Sequence, residues 1–281
     1  MTYETYYYKE DRVKLLLGNC LEVLPQVPEN SIDMIFADPP YNLSNGGITC
    51  YAGRMVSVNK GDWDKSKGFE QDHQFTLDWL NACRRVLKDD GTIWISGTIH
   101  NIYSIGFALQ QLGYKILNEI CWYKPNAAPN LSCRYFTHSH EVVLWAAKSK
   151  NSRHKFNYER MKKIAGGKQM RSVWMDIDKE ESVPDIWTIN TPSVEEKHFG
   201  KHPTQKPVAL LERIILASTN PYDTILDPFT GSSTTGVVAI KHGRKFIGID
   251  SSKEYMDLST KRIEEITREI TFNPKLVEES V

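Results

Sequence analysis

Nowhere in its 281 residues does the sequence carry a run of about 18 apolar residues, which argues against a membrane-spanning helix. It has no net charge. Thirty-five Lys and Arg balance 35 Asp and Glu, so bulk charge builds in no attraction to nucleic acid or to acidic surfaces. Cysteine is sparse. Cys20, Cys50, Cys83, Cys121 and Cys133 are scattered, odd in number and never spaced C-x-x-C, so neither a zinc site nor a disulfide framework is supported. A reducing cytoplasm is the expected compartment. Internal repeats and low-complexity tracts are missing, as are G-x-G-x-x-G and a Walker lysine. Met1–Arg12 is Tyr-rich and charged and is not expected to be an apolar signal segment.

What is present fits one large α/β domain, or a core with an insertion. Apolar residues make up 40% of the chain, with seven tryptophans. Short apolar runs alternate with helical patterns, which predicts a mostly parallel sheet covered by helices on both faces. The expected strands are Val13–Leu17, Ile32–Ala37, Thr92–Ser96, Ile116–Trp122, Val142–Ala146, Thr224–Leu226 and Lys245–Ile249. The expected helices are Phe75–Leu87, Ile102–Leu112, Val208–Ser218, Ser233–Lys241 and Ser252–Arg268, with Asp89-Asp90-Gly91 and Gly113 ending helices before strands.

Two segments carry chemistry. Asp38-Pro39-Pro40-Tyr41 follows the apolar run Ile32–Ala37. The prolines stiffen the turn and leave its carbonyls available, because each fixes φ and lacks an N–H. Carboxylate and carbonyl oxygens suit an exocyclic amine, and the tyrosine ring suits stacking on a base flipped out of its helix. The same residues also make an ordinary turn after a strand. The second segment is Asp227-Pro228-Phe229-Thr230-Gly231-Ser232-Ser233-Thr234-Thr235-Gly236, between the strand Thr224–Leu226 and a helix. Such a turn presents amides at a helix start and lets a ligand approach the backbone. About twenty residues on, Asp250 ends the next strand, where a carboxylate can hold ribose hydroxyls. An ordinary βαβ unit with a surface Asp is the alternative.

Together these segments resemble the amino-methylating DNA methyltransferases that use S-adenosylmethionine, in the circularly permuted beta order with D-P-P-Y first and the cofactor loop last. The likeness covers roughly residues 12–265. Two more matches support it: Lys201-His202-Pro203-Thr204-Gln205-Lys206-Pro207, similar to the segment at the cofactor's methionine end, and Gly18-Asn19-Cys20, where the family often has Gly-Asp near the cofactor adenine. Ser233 stands where a second glycine is common. N-L-S-N-G-G after the tetrapeptide and P-N-L-S-C-R-Y-F-T-H at 129–138 look closest to the second methylases of certain type II restriction systems, which recognise GATC and can modify single-stranded DNA.

The resemblance implies a Rossmann-like fold with a seven-stranded sheet holding one reversed strand. Residues 1–147 form the catalytic half with a loop at 42–71, residues 148–200 a target-recognition insertion, residues 201–270 the cofactor half, and residues 271–281 a tail. It implies Asp38, Pro39, Pro40 and Tyr41 as catalytic residues and Phe136, ahead of Tyr135, as a base-packing ring. The expected cofactor-binding residues are Asn19, Cys20, Thr204, Lys206, Asp227, Phe229, Gly231, Ser232, Ser233, Thr234 and Asp250. Lys148–Arg171 holds nine Lys or Arg against one acid, and Ser172–Glu196 seven acids against one Lys. Arg153, Lys155, Arg160, Lys162, Lys163, Lys168 and Arg171 are therefore the candidate DNA-binding residues, with a solvated loop as the alternative. The expected partner is double- or single-stranded DNA, with no membrane and no metal, and a homodimer is left open. The expected reaction is methylation of adenine N6. Alternatives are cytosine N4, an RNA or protein-amide substrate, and an inactive DNA-binding module.

Overall fold

A computed structural model describes residues 3–44, 48–51, 54–57, 61–127, 129–174, 189–200 and 202–272. Parts of the 42–71 loop, part of the 148–200 insertion, Lys201 and most of the tail lie outside the described residues. The main-sheet strands are β1 (Glu4–Lys9), β2 (Val13–Leu17), β3 (Ile32–Ala37), β6 (Leu87–Gly97), β7 (Lys115–Tyr123), β8 (His140–Ala147), β9 (Val173–Trp174), β10 (Thr224–Asp227) and β11 (Lys245–Asp250). The hairpin strands are β4 (Ile48–Tyr51) and β5 (Arg54–Ser57). The helices are α1 (Cys20–Val23), α2 (Phe69–Val86), α3 (Ile102–Gln111), α4 (Tyr158–Ile164), α5 (Val208–Ser218), α6 (Thr234–Lys241) and α7 (Lys253–Phe272).

The main sheet runs β1-β2-β11-β10-β3-β6-β8-β7-β9. β2, β11, β10, β3 and β6 are mutually parallel. β8 is reversed between β6 and β7, which is the one reversed core strand expected. Among the described residues this sheet has nine strands where seven were expected. The additions are edge strands, β1 antiparallel to β2 and β9 parallel to β7. β1 escaped because its Tyr-rich alternation is only half-buried, and β9 because it spans two residues.

Both faces are covered because alternate side chains of each inner strand point opposite ways. Met34 and Phe36 of β3 join Trp94, Ile214, Ile215, Phe246 and Ile263 under α5, α6 and α7. Ile35 and Ala37 join Trp79, Leu80, Ile105 and Leu109 under α2 and α3. The chain leaves β3 toward β6 on one side, while β10 and β11 lie on the other. The β3–β10 boundary is thus a switch point, where ligands bind beyond the strands' carboxyl ends.

One expectation is corrected, and two segments carry further structure. Asp89-Asp90-Gly91 lies within β6 as an irregularity, since Ile32 pairs with Leu87 but Met34 with Thr92. Glycine fits there because a Cβ at Gly91 would sit 3.0 Å from the Lys88 carbonyl oxygen and 3.1 Å from that of Asp33. The 42–71 loop carries the β4–β5 hairpin, a one-turn 3₁₀ helix at Asp62–Asp64 and the start of α2. The 148–200 insertion is partly core. Met161 of α4 and Ile189 are buried, and the Asn157 amide donates to the carbonyls of Leu216 and Thr219 at 2.9 and 2.8 Å, satisfying the end of α5.

Candidate active site

Four motifs converge at the carboxyl ends of the strands. Asp38 follows β3, Gly18 follows β2, the Gly-Ser turn follows β10 and Asp250 ends β11. They surround a cavity of about 240 Å³ lined by Asn19, Cys20, Asp38, Phe229, Gly231 and Asp250, with aromatic walls from Trp63, Phe75 and Tyr255.

Asp38, Tyr41 and Lys206 form a buried junction beside it. Tyr41 donates its hydroxyl to Asp38 Oδ1 at 2.6 Å, and Lys206 Nζ donates to Asp38 Oδ2 at 2.5 Å and to the Tyr41 hydroxyl at 2.8 Å. Glu141 Oε2 is 3.8 Å from the same ammonium, and Lys124 pairs with Glu141. Burial pushes the Asp38 carboxyl above its ordinary range, the Lys206 charge opposes this, and the Glu141 charge adds to it. Burial tends to neutralise Lys206, but the carboxylates of Asp38 and Glu141 outweigh it and hold the ammonium charged. Burial and the Asp38 charge keep Tyr41 a phenol, hence a donor. Tyr41 is only 4% exposed, and its ring lines both a 590 Å³ groove toward α2 and α3 and a 170 Å³ cavity shared with Trp122, Glu141 and Lys206. The Pro40 carbonyl accepts from Asn101 Nδ2 at 3.1 Å.

The cofactor candidates divide. Asp250 accepts the amides of Gly231 and Ser252 at 2.9 and 2.8 Å and faces the cavity, its carboxyl raised by burial and drawn back by those amides. Gly231 has φ 49°, and a Cβ there would meet the His202 ring at 2.9 Å, so the turn approaches as only glycine allows. Thr204 lines the cavity. Asn19 caps α1 by accepting the Leu21 amide at 3.0 Å, and the buried Cys20 thiol is pushed up to about 12 by desolvation. Asp227 does not line the cavity. It is buried under the turn, takes the Thr235 hydroxyl at 2.6 Å and the Phe229 amide at 3.1 Å, and desolvation pushes it up to about 7. Ser232, Ser233 and Thr234 are buried within the turn. Ser233 adopts the left-handed φ of 53° that the commoner glycine takes freely, and its hydroxyl bonds Thr230 at 2.8 Å. Lys206 points at Asp38 and Tyr41 and is not among the residues lining this cavity.

Two other groups are placed otherwise than expected. Phe136 is 95% exposed on an outer loop and does not line the cavities around Tyr41. Lys155 is spent internally, donating to Asp33 and Asp223 at 2.9 Å, and Arg160 is half-buried. Arg153, Lys163, Lys168 and Arg171 are exposed and Lys162 partly so. The sequence reading missed Trp63, Asp64, Phe75, Asn101, Glu141 and Tyr255, and gave His202 no role. Only Trp63 and Asp64 carried a signal, as an aromatic and an acid within the loop after the tetrapeptide.

A family profile described as DNA methylase, covering N6 and N4 methyltransferases, matches residues 32–261. The chain belongs to this DNA methylase family. It is 55% identical over 258 residues to the type II methyltransferase M2.LlaDCHI of Lactococcus lactis subsp. cremoris, spanning 92% of this chain and 91% of the relative. It is 54% identical to M2.DpnII of Streptococcus pneumoniae, spanning 92% of each. It is 47% identical to M2.MboI of Moraxella bovis, spanning 95% and 93%. Among solved structures, the M1.HpyAVI complex with SAM superposes with a TM-score of 0.62 at 27% identity, spanning 89% of this chain and 98% of that one. The PvuII cytosine-N4-specific DNA methyltransferase gives 0.68 at 21% identity over 94% and 93%, a likeness of fold. This DNA methylase is therefore an enzyme, and no described helix is long and apolar enough to cross a membrane.

Proposed function

We propose that this DNA methylase transfers a methyl group from S-adenosylmethionine to the N6 amine of adenine in DNA, as a modification enzyme of a type II restriction system. One observation carries the reading: Asp38, held by Tyr41 and Lys206, opens into the same cavity as Asp250 and Gly231. An amine acceptor and a nucleoside-binding wall therefore share one chamber.

The residues present fit the cofactor. Asp250 suits two ribose hydroxyls, the Gly231 turn lines the same cavity and leaves no room for a Cβ against the His202 ring, and Trp63, Phe75 and Tyr255 suit a purine. When bound, the cofactor supplies an electrophilic sulfonium methyl. This chain's groups serve the amine. Asp38 and the Pro39 carbonyl accept its hydrogen bonds and draw lone-pair density off the ring. The Lys206 charge opposes the burial that raises Asp38, and Tyr41 fixes its carboxylate plane. The amine's proton leaves through Asp38 or to solvent. Tyr41 stacks the base, and Phe136 packs on bases from its outer loop. Positioning and electrostatics carry the rate. All these groups belong to one chain, and the reading calls for no metal.

Adenine is favoured over cytosine because Asp stands at position 38, where the cytosine members it resembles tend to carry Ser. GATC and single-stranded activity follow from the likeness to second methylases. An unpaired base also avoids roughly a few kcal/mol of unstacking. The test compares initial rates on single- and double-stranded oligonucleotides holding one GATC with rates on scrambled controls. Equal rates on scrambled DNA would reject the site, and a silent single strand would reject that preference.

A further inference from the structure

The two ends of the insertion that follows the catalytic turn meet at one carboxylate. Asp64 is fully buried, at 0% exposure. Its Oδ1 accepts the amides of Tyr41 and Asn42 at 2.8 and 2.9 Å, and its Oδ2 accepts the amide of Leu43 at 3.2 Å and the hydroxyl of Ser44 at 2.9 Å. Its own carbonyl takes the Ser44 amide at 3.2 Å. Asn42 has φ 58°, left-handed, and a turn of that kind gathers successive amides into an anion-binding concavity. Here the anion is a side chain from 20 to 23 residues downstream. Bonds from amides to a charged acceptor are the strong kind and offset the left-handed backbone. The turn is also held from its other side, where Asn101 donates to the Pro40 carbonyl and accepts the Thr98 amide at 3.0 Å.

We infer that Asp64 is a positioning residue for methyl transfer. It latches the catalytic tetrapeptide from behind, through the amides of residues 41–43 and the Ser44 hydroxyl. This rests on the methyl-transfer reading and deepens it. Asp64 bonds the backbone of Tyr41 and of the two residues after it, whereas the junction with Asp38 is made by the Tyr41 hydroxyl. The preceding Trp63 lines the methyl-donor cavity and stacks on His202, ring centroids 6.4 Å apart. One helical turn therefore supports the cofactor wall with one residue and the amine-binding turn with the next.

Asp64→Asn tests the latch, because it keeps the size but turns an amide NH₂ toward one pair of donors. Asp64→Ala removes both acceptors. Hydrogen exchange of the peptide spanning 39–44 needs no substrate and reads the latch directly. Calorimetry reads cofactor affinity, and single-turnover methylation at saturating DNA and cofactor reads positioning. The expected results for Asp64→Asn are exchange of the amides at 41–43 faster by about tenfold or more, cofactor affinity within about threefold of the parent, and transfer slower by about tenfold or more with KM for DNA little changed. Asp64→Ala should lose about a hundredfold in transfer. Unchanged exchange would overturn the latch. Opened amides with transfer within about twofold of the parent would overturn the positioning role, as would a rate loss that tracks lost cofactor affinity or a lowered melting temperature. If the unsubstituted chain methylates no DNA, the proposed function fails and the catalytic half of this inference with it, while exchange still decides the latch.

Discussion

Replacing Lys206 with methionine keeps the stem and removes the ammonium from the catalytic junction. The side chains of Lys206 and Asp38 are 7% and 10% exposed, and Nζ lies 2.5 Å from Asp38 Oδ2. Without that charge, Asp38 and Glu141 share a buried site in which Lys124 pairs with Glu141 and not with Asp38. Removing one partner of a buried ion pair costs about 3–5 kcal/mol, and the lower end applies here because burying Lys206 is itself unfavourable. At about 2–4 °C per kcal/mol for a chain of this size, the melting temperature should fall by about 6–12 °C. Asp38 can relieve the cost by taking a proton, which spoils it as an acceptor. Its folded-state pKa already lies above the ordinary value through burial, and Lys206→Met should raise it further. The stability of the variant should therefore recover as pH falls and be lost as pH rises through that pKa. Transfer at neutral pH should drop about a hundredfold, and the acidic limb of the pH–rate profile should move to higher pH. Single-turnover rates and melting curves across about pH 5.5 to about 9 read both effects. A limb left in place, with weakened S-adenosylmethionine binding instead, would refute the reasoning and return Lys206 to the cofactor.

Asp227 titrates at about 7 against its ordinary 3.8 because it is buried. The stability it contributes is full below about pH 4 and lost as pH rises through about 7, at most about 4 kcal/mol. Asp227→Asn should flatten urea-denaturation stability between about pH 5 and 8, and a parent chain that gains stability across that window would contradict this. Ser233→Gly trades a left-handed backbone cost of about 1 kcal/mol for a lost hydroxyl bond of similar size, so stability should change by less than about 1 kcal/mol, whereas Ser233→Ala should lose about 1 kcal/mol. Equal losses in denaturant melts of the two variants would show that the strain is not felt. Lys162→Ala, Lys163→Ala and Lys168→Ala together should lower the salt slope of DNA binding by about 3, and an unchanged slope would make those lysines an ordinary solvated face. Lys155→Ala should destabilise the fold without altering the slope, since its ammonium bridges Asp33 and Asp223.

The seven inner strands and five longest helices were legible because their periodicity is the same physics that buries them. Ile32–Ala37 and Val208–Ser218 were placed to the residue, since mostly apolar runs with sharp ends leave little choice of boundary. What escaped was long-range or polar. The pattern of β1 and the hairpin carried too little apolar contrast. Lys155 read as one more basic residue in a basic run, because no local feature announces Asp33, 122 residues away. Lys206 was found as part of a motif, but its bond to Asp38 was not legible, because a motif fixes order along the chain and the 168-residue approach to Asp38 is set by the sheet. Asp227 and Asp250 looked alike as strand-ending acids, yet burial separates one under the turn from one facing the cavity.

The most direct test is the identity of the product. The purified chain is incubated with S-adenosylmethionine labelled in its methyl group and with DNA oligonucleotides, the DNA is digested to nucleosides, and the labelled nucleoside is identified, with Asp38→Ala as the control. The account predicts N6-methyladenine from the parent chain and a loss of about a hundredfold or more in Asp38→Ala, with cofactor binding retained. Label in N4-methylcytosine, or undiminished transfer by Asp38→Ala at equal folding, would contradict it.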